Sequence, residues 1–366
     1  VRTLTATVAA LSLAADAVPA AAASQAGPPD TDGVWRMDGY GTVLVLGGGA
    51  LQEYQTTSVS CVKGDTSPQT GPGTYATTDG SVLTVRTGHD RDHALLAADS
   101  SVGHRRLHRL NALPAGCARP AATDPRSAFD VFWQTFEENY PDRRSGQVRP
   151  GTHMPGPGLD ASVKKFIEAR DLNDASHRQD FGSGRITYAD LPGDLGYLRI
   201  SGFGGYAGEH APYTAEQAEL DRALNTVLTP GRTERLQGLV IDLRVNGGGH
   251  DSLGVRIALK LTFIVDTWVS DHYGDPHAEV HSHRPGRTVR IGQPTQGVFS
   301  DVMDRYLPDG LVFGLPDEEY LTRTEGTFDG TGIPPQLIEP VFTKEEFAKM
   351  RDSAFDRAVN LLSGRG

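Results

Sequence analysis

Short runs of alternating apolar and polar residues fill the first third of the chain. "GVWRMDG", "GTVLVLGG", "LQEYQTTSVSCV", "GTYATTDGSVLTVRTG" and "HRRLHRLNALP" are parted by Gly and Asp. A period of two predicts half-buried strands, and Asp79-Gly80 before alternating apolar residues predicts a hairpin. Residues 28–120 therefore read as a small β-rich domain, a barrel or a sandwich. Tyr40, Tyr54 and Tyr75 are expected to fill its core.

The pattern changes at "ARPAATDP", which reads as a linker ending in a helix start. Asp124 can cap and Pro125 suits the first helical position. Phe129, Phe132, Trp133 and Phe136 then recur at helical spacing, which predicts a core-facing stripe. Residues 141–158 read as loop, and "LDASVKKFIEARDL" as a second helix. From 184 onward strands and helices alternate. "GRITYADL" and "LGYLRISGF" predict a hairpin. "TAEQAELDRALNTVL" predicts an amphipathic helix, with Ala218, Leu220, Leu224, Val227 and Leu228 available for its apolar face. "LQGLVIDLRV" predicts a central strand, "DSLGVRIALKL" a helix and "TFIVDTWV" a strand. "GRTVRIGQPT" and "LVFGLPDEEYLT" predict further strands, and "KEEFAKMRDSAFDRAVNLL" one long terminal helix. Such alternation predicts an α/β domain over 124–366 with a largely buried sheet.

Composition narrows the function classes. The chain has 366 residues and a formal net charge of −11, which argues against a nucleic-acid partner and supplies no polybasic membrane patch. "VRTLTATVAALSLAADAVPAAAASQA" resembles a secretory signal, with Arg2 as the basic end and Ala21-Ala22-Ala23 as a small-residue cleavage site. It is too short and mild to span a bilayer permanently. The expectation is a signal peptide at 1–23 and a secreted mature protein. In an oxidising compartment the two cysteines, Cys61 and Cys117, would pair. Neither has a ligand-spaced Cys or His beside it, so no metal site is expected.

The chemistry gathers at "GLVIDLRVNGGGHDSLG", residues 238–254. A buried strand runs into Gly247, Gly248 and Gly249, and a helix starts at Asp251. Strand end, bare backbone and helix N-terminus together suit an anion. The spacing is neither of the two common nucleotide-binding glycine patterns. An oxyanion formed in acyl transfer is the better candidate. Ser270, at the end of "TFIVDTWVS", is the candidate nucleophile. A serine needs a base. No lysine occurs between Ser270 and Lys344, which leaves histidine. His250, His272, His277, His281 and His283 lie near, and His153, His177 and His210 could approach in space. "HAEVHSH" at 277–283 reads as a solvated face rather than a metal tract.

"LGYLRISGF", "GLVIDLRVNGGG", "IGQPTQG" and "GTGIPP" occur in one order. This resembles the C-terminal-processing (tail-specific) serine peptidases, and within them the tricorn-core-like branch, over roughly 125–360. The resemblance implies a crotonase/ClpP-like core. It implies that Gly247 or Gly248 supplies an oxyanion-hole amide and that Asp271, after the nucleophile Ser270, supplies the other. "DEEY" resembles a branch motif and points to Glu318 as a supporting carboxylate. No cofactor is implied, and the substrates would be peptides or unfolded protein tails. The chain departs from the family twice. The stretch between the glycine turn and Ser270 is shorter, and no "DAH"-like histidine motif precedes "RPGT". A second reading is therefore a non-catalytic relative that binds a peptide, a carboxylate or an apolar ligand.

Overall fold

In the computed structural model the described residues are 31–119, 121–140, 159–208, 211–261, 288–295, 297, 301–316, 318, 320–322, 326–329 and 331–364. The expected signal segment 1–23 and the strand "TFIVDTWV" lie outside them.

The N-terminal strands are β1 (Gly33–Met37), β2 (Thr42–Gly47), β3 (Ala50–Thr56), β4 (Cys61–Gly71), β5 (Thr74–Ala76), β6 (Val82–Thr87), β7 (His93–Ala98) and β8 (Arg105–Leu110). Each pairs antiparallel with the next, and β1 pairs with β8, so the sheet closes into a barrel without edges. Alternate residues point inward. Trp35, Leu44, Leu46, Tyr75, Leu96 and Leu107 fill the interior, while Arg36 and Leu95 face out. Eight strands leave room for side chains and little else. Tyr75 joins this core, whereas Tyr40 sits at its margin. The predicted turn joins β5 to β6, and Asp79 accepts from the Ser81 amide and hydroxyl.

Helix α1 (Pro125–Asn139) starts as predicted, with Asp124 accepting from the amides of Arg126 and Ser127. Its aromatic stripe does not form one core face. Ala128, Val131, Thr135 and Asn139 are its buried residues. Gly41 of the barrel lies against the Asn139 amide. Phe132 and Phe136 pack on Phe313, but Phe129 and Trp133 are 61% and 60% exposed. The smaller side chains are the buried ones, and two of the four large rings stay exposed.

The second sheet follows α2 (Leu159–Arg170). Its strands are β9 (Ser176–Phe181), β10 (Ile186–Leu191), β11 (Leu195–Ile200) and, beyond the helices α3 (Tyr213–Val227) and α4 (Pro230–Thr233), β12 (Gly238–Asp242). The order is β12-β11-β10-β9, with β10 and β11 forming the predicted hairpin. β11 and β12 run parallel, and α3 supplies the crossover that parallel pairing requires. β11 is buried along its whole length. Leu198 and Ile200 pack under α3 and α5 (Asp251–Leu261), while Leu195 and Tyr197 face Val163, Ile167 and Phe355. A strand covered on both sides has to read as a continuous apolar run. Ala218 lies outside the buried face of α3, where Tyr213 and Glu216 take part instead. β12, expected to be central, is an end strand of this sheet among the described residues.

The rest comprises β13 (Ile291–Gly292), β14 (Val302–Tyr306), β15 (Val312–Pro316), β16 (Leu337–Ile338), α6 (Lys344–Lys349) and α7 (Ser353–Leu362). β13 pairs parallel with β16. β14 and β15 form a hairpin docked on the barrel, where the Gln55 amide donates to Asp304 O at 2.7 Å and accepts from the Tyr306 amide at 2.8 Å. The single terminal helix predicted at 344–362 is two helices. Met350 takes a left-handed conformation, and Asp352 caps α7 by accepting from the Phe355 amide. No helix of the described residues is long and apolar enough to cross a membrane.

The two cysteines are bonded, which ties β4 to the linker before α1 across 56 residues of sequence. Loop-closure entropy alone makes such a link worth about 4 kcal/mol. The Cys61→Ser/Cys117→Ser double variant is expected to lose up to about that much stability in urea unfolding.

Candidate active site

β11 and β12 end side by side because they run parallel in register, Arg199 opposite Asp242. The loops that leave them are joined in turn. The Gly247 amide donates to Ser201 O at 3.2 Å. The Phe203 amide donates to Gly248 O at 2.7 Å, and the His250 amide to Phe203 O at 2.8 Å. Asn246 braces the turn from inside, donating to Ile200 O at 2.9 Å and accepting from the Gly248 amide at 2.8 Å. The glycines have a backbone reason. Gly248 and Gly249 have positive φ, and a Cβ on Gly249 would stand 2.2 Å from Phe203 O. The predicted oxyanion amides, Gly247 and Gly248, are thus both engaged within the loops in this conformation.

The start of α5 is also occupied from within. The Asp251 carboxylate accepts from the Ser252 amide at 2.7 Å, from the Val102 amide of the β7–β8 loop at 3.1 Å and from the Tyr320 hydroxyl at 3.2 Å. Its charge sits where the helix dipole favours an anion. Burial and then the Asp251 charge hold the Tyr320 hydroxyl well above its ordinary pKa. The Ser252 hydroxyl donates to Ser100 O at 2.8 Å. The glycine turn is therefore anchored to the barrel.

A cavity of about 350 Å³ lies between barrel and turn, lined by Gly249, His250, Asp251, Ser101, Arg105, Glu53, Asp65, Asp301 and Asp304 among others. Five carboxylates stand in its wall against one guanidinium. Burial pushes the Glu53 carboxyl up. Arg105 donates to Glu318 at 3.0 Å and to Asp301 at 3.2 Å. Glu318 also accepts from the Tyr40 hydroxyl at 2.6 Å. Glu318, singled out as a supporting carboxylate, is thus held on the barrel side by Tyr40 and Arg105. Burial lowers the Arg105 pKa, but its anionic neighbours outweigh this and raise it.

Among the candidate bases, His250 follows the turn and packs edge-on against Tyr213 at 5.2 Å. His177 is largely exposed and pairs with Asp190 at 3.1 Å. Ser270 and Asp271 lie outside the described residues, as do His153, His210, His272, His277, His281 and His283. Among the described residues no three His, Cys, Asp or Glu side chains are disposed to hold a metal.

Behind the turn, the end of β12 carries an ion cluster that spacing did not reveal. The Asp242 carboxylate accepts from Arg244 Nε at 2.9 Å and NH2 at 2.7 Å and from the Tyr197 hydroxyl at 2.7 Å. Arg244 also donates to Asp352 at 2.5 Å. Burial raises the Asp242 carboxyl, but Arg244 outweighs it and holds the group below its ordinary value. The "DLR" triplet was visible as part of a motif, while its partner Asp352 lies far along the chain.

The two glycines should respond differently to a methyl group. Gly248→Ala meets nothing within 4 Å, so its cost is conformational, about 1–2 kcal/mol. Gly249→Ala also collides with the Phe203 carbonyl and is expected to cost clearly more. Urea unfolding of both variants checks the order.

Comparison with known proteins addresses the segment just described. The model of peptidase family S41 matches residues 194–283, from the β10–β11 turn past Ser270. No curated protein matches the chain. Among solved structures, a candidate peptidase from Parabacteroides merdae ATCC 43184 is 18% identical, with 66% of this chain and 84% of that chain covered, at a TM-score of 0.41. A photosystem II D1 C-terminal processing protease is 21% identical, with 41% of this chain and 44% of that chain covered, at a TM-score of 0.27. A candidate S41 protease from Bacteroides fragilis NCTC 9343 is 12% identical, with 92% and 85% covered, at a TM-score of 0.35. The match to peptidase family S41 thus falls on residues 194–283, which lie in a mixed α/β region beside an eight-stranded barrel.

Proposed function

We propose that this chain is a secreted serine peptidase of the tail-specific kind, nearest the tricorn-core-like branch, acting on peptides or unfolded protein tails. The observation that carries the reading is the S41 match, whose span includes both the glycine turn and Ser270. In this reading Ser270 Oγ attacks the scissile carbonyl and its proton passes to a histidine base. The amide of Gly247 or Gly248, with that of Asp271, holds the oxyanion, and Glu318 lends support. The C–N bond then breaks, the amine leaves with the proton, and water hydrolyses the acyl-enzyme. The absence of lysine between Ser270 and Lys344 suits a histidine base. For Gly247 or Gly248 to serve, its amide has to leave its present acceptor, Ser201 O or Asn246 Oδ1. The signal-like start of the chain and the Cys61–Cys117 bond suit export.

A specific observation favours a second reading. With both glycine amides engaged, the same scaffold would serve as a binding protein for a peptide, a carboxylate or an apolar ligand. A fluorophosphonate probe separates the two. Labelling that maps to Ser270, is lost in Ser270→Ala and accompanies a fall in peptide hydrolysis of about 10⁴-fold or more supports the peptidase. A cooperatively folded protein that takes up no label leaves the binding protein.

A further inference from the structure

Asp171 follows α2, and its side chain is wholly buried. Oδ1 accepts from Arg170 NH1 at 3.0 Å. Oδ2 has no hydrogen-bond donor. Arg244 NH2 stays 3.5 Å from Oδ2 and donates to Asp242 instead. Across the same guanidinium stands another carboxyl, that of Asp352, whose Oδ2 lies 2.5 Å from Arg244 and which is itself 1% exposed. Two buried carboxylates that close repel, and one proton between them turns repulsion into an O–H···O bond. The surroundings say which of them carries it. Asp352 accepts from the Phe355 amide on Oδ1 and from Arg244 on Oδ2, so it is the acceptor. Asp171 Oδ2, which no donor reaches, is the atom free to hold the proton.

The charges agree. Facing Asp171 are Arg170 from α2, Asp242 and Arg244 from the end of β12, Tyr197 from β11 and Asp352 from the start of α7. Asp356 joins through Arg170. With Arg199, buried on the same face of β11 as Tyr197, the four anions meet three guanidinium groups when every carboxyl is ionised. One proton on Asp171 moves the cluster towards balance. Burial first, and the Asp352 charge second, push the Asp171 carboxyl up to about 8, against the opposing pull of Arg244.

We propose that Asp171 is protonated in the folded protein and donates from Oδ2 to Asp352, forming a pH-sensitive latch. It joins α2, the β12 end that leads into the glycine turn, and the C-terminal helix α7. Ionisation adds an uncompensated charge to a closed cluster and loosens the docking of α7 on β12.

The folded protein holds a proton that the unfolded chain releases. The latch's stabilisation is therefore complete below the ordinary aspartate pKa of about 4 and is lost as pH rises through about 8. Asp171→Asn keeps the shape and offers Nδ2–H to Asp352 but does not titrate. Urea unfolding of the full chain, wild type and variant, between about pH 5 and about pH 8 reads the difference. The expected result is that the ratio of wild-type to variant unfolding constants rises about tenfold per pH unit over roughly pH 5–7. A ratio that does not change with pH overturns the proposal. If the variant does not fold, carboxyl ¹³C NMR of the wild type decides. One aspartate titrating well above the carboxylate range supports the latch, and every aspartate ionised at about pH 6 overturns it.

Discussion

Arg244 is a largely shielded cation, its side chain 16% exposed, and such a cation persists only where carboxylates and hydrogen bonds surround it. That requirement organises the strands and helices around the glycine turn. Asp242, two residues before it, binds it with both oxygens, and Asp352 reaches it from the far end of the chain. Tyr197 completes the shell from β11. One guanidinium thus joins the strand that feeds the glycine turn, its parallel neighbour and the C-terminal helix. The break between α6 and α7 belongs to the same constraint. Asp352 can cap α7 and bind Arg244 only if the helical run stops before it.

The turn itself is held at its other end by the barrel. Asp251 binds the Val102 amide, Ser252 binds Ser100 O, and Glu318 lies between Tyr40 and Arg105. These contacts are polar and largely shielded, so their geometry is specific even where their net energy is modest. The barrel forms one wall of the cavity that opens beside Gly249 and His250. The all-β domain therefore shapes the surroundings of the candidate site.

A tension remains in the turn. Amides suited to an oxyanion must point at a place where charge will develop, yet those of Gly247 and Gly248 donate to Ser201 O and Asn246. Asn246 spans Ile200 O and the Gly248 amide and stabilises this closed arrangement. Whether the chain is a peptidase or a binding protein turns on a change at these two bonds, and both lie in backbone that glycine leaves free to rotate.

Much of the fold was legible because it is written in local patterns. Alternation in residues 33–110 showed β structure, Asp124-Pro125 showed where α1 starts, and the continuous apolar run of β11 showed a strand covered on both faces. The ordered motifs around the glycines pointed to the segment that matches family S41. Local patterns misled where two surfaces compete. The aromatic stripe of α1 looked like a core face, but the fold buries Ala128, Val131, Thr135 and Asn139 and leaves Phe129 and Trp133 outside. What the sequence by itself determined were the elements whose periodicity reflects burial and the glycine turn whose backbone needs no side chains. Only the tertiary structure decided that Asp171, Asp242, Arg244 and Asp352 share one cluster and that the barrel braces Asp251 and Glu318. Those groups are far apart in sequence, and a charge carries no periodicity. Its partner is set by where the packed strands and helices bring the chain together.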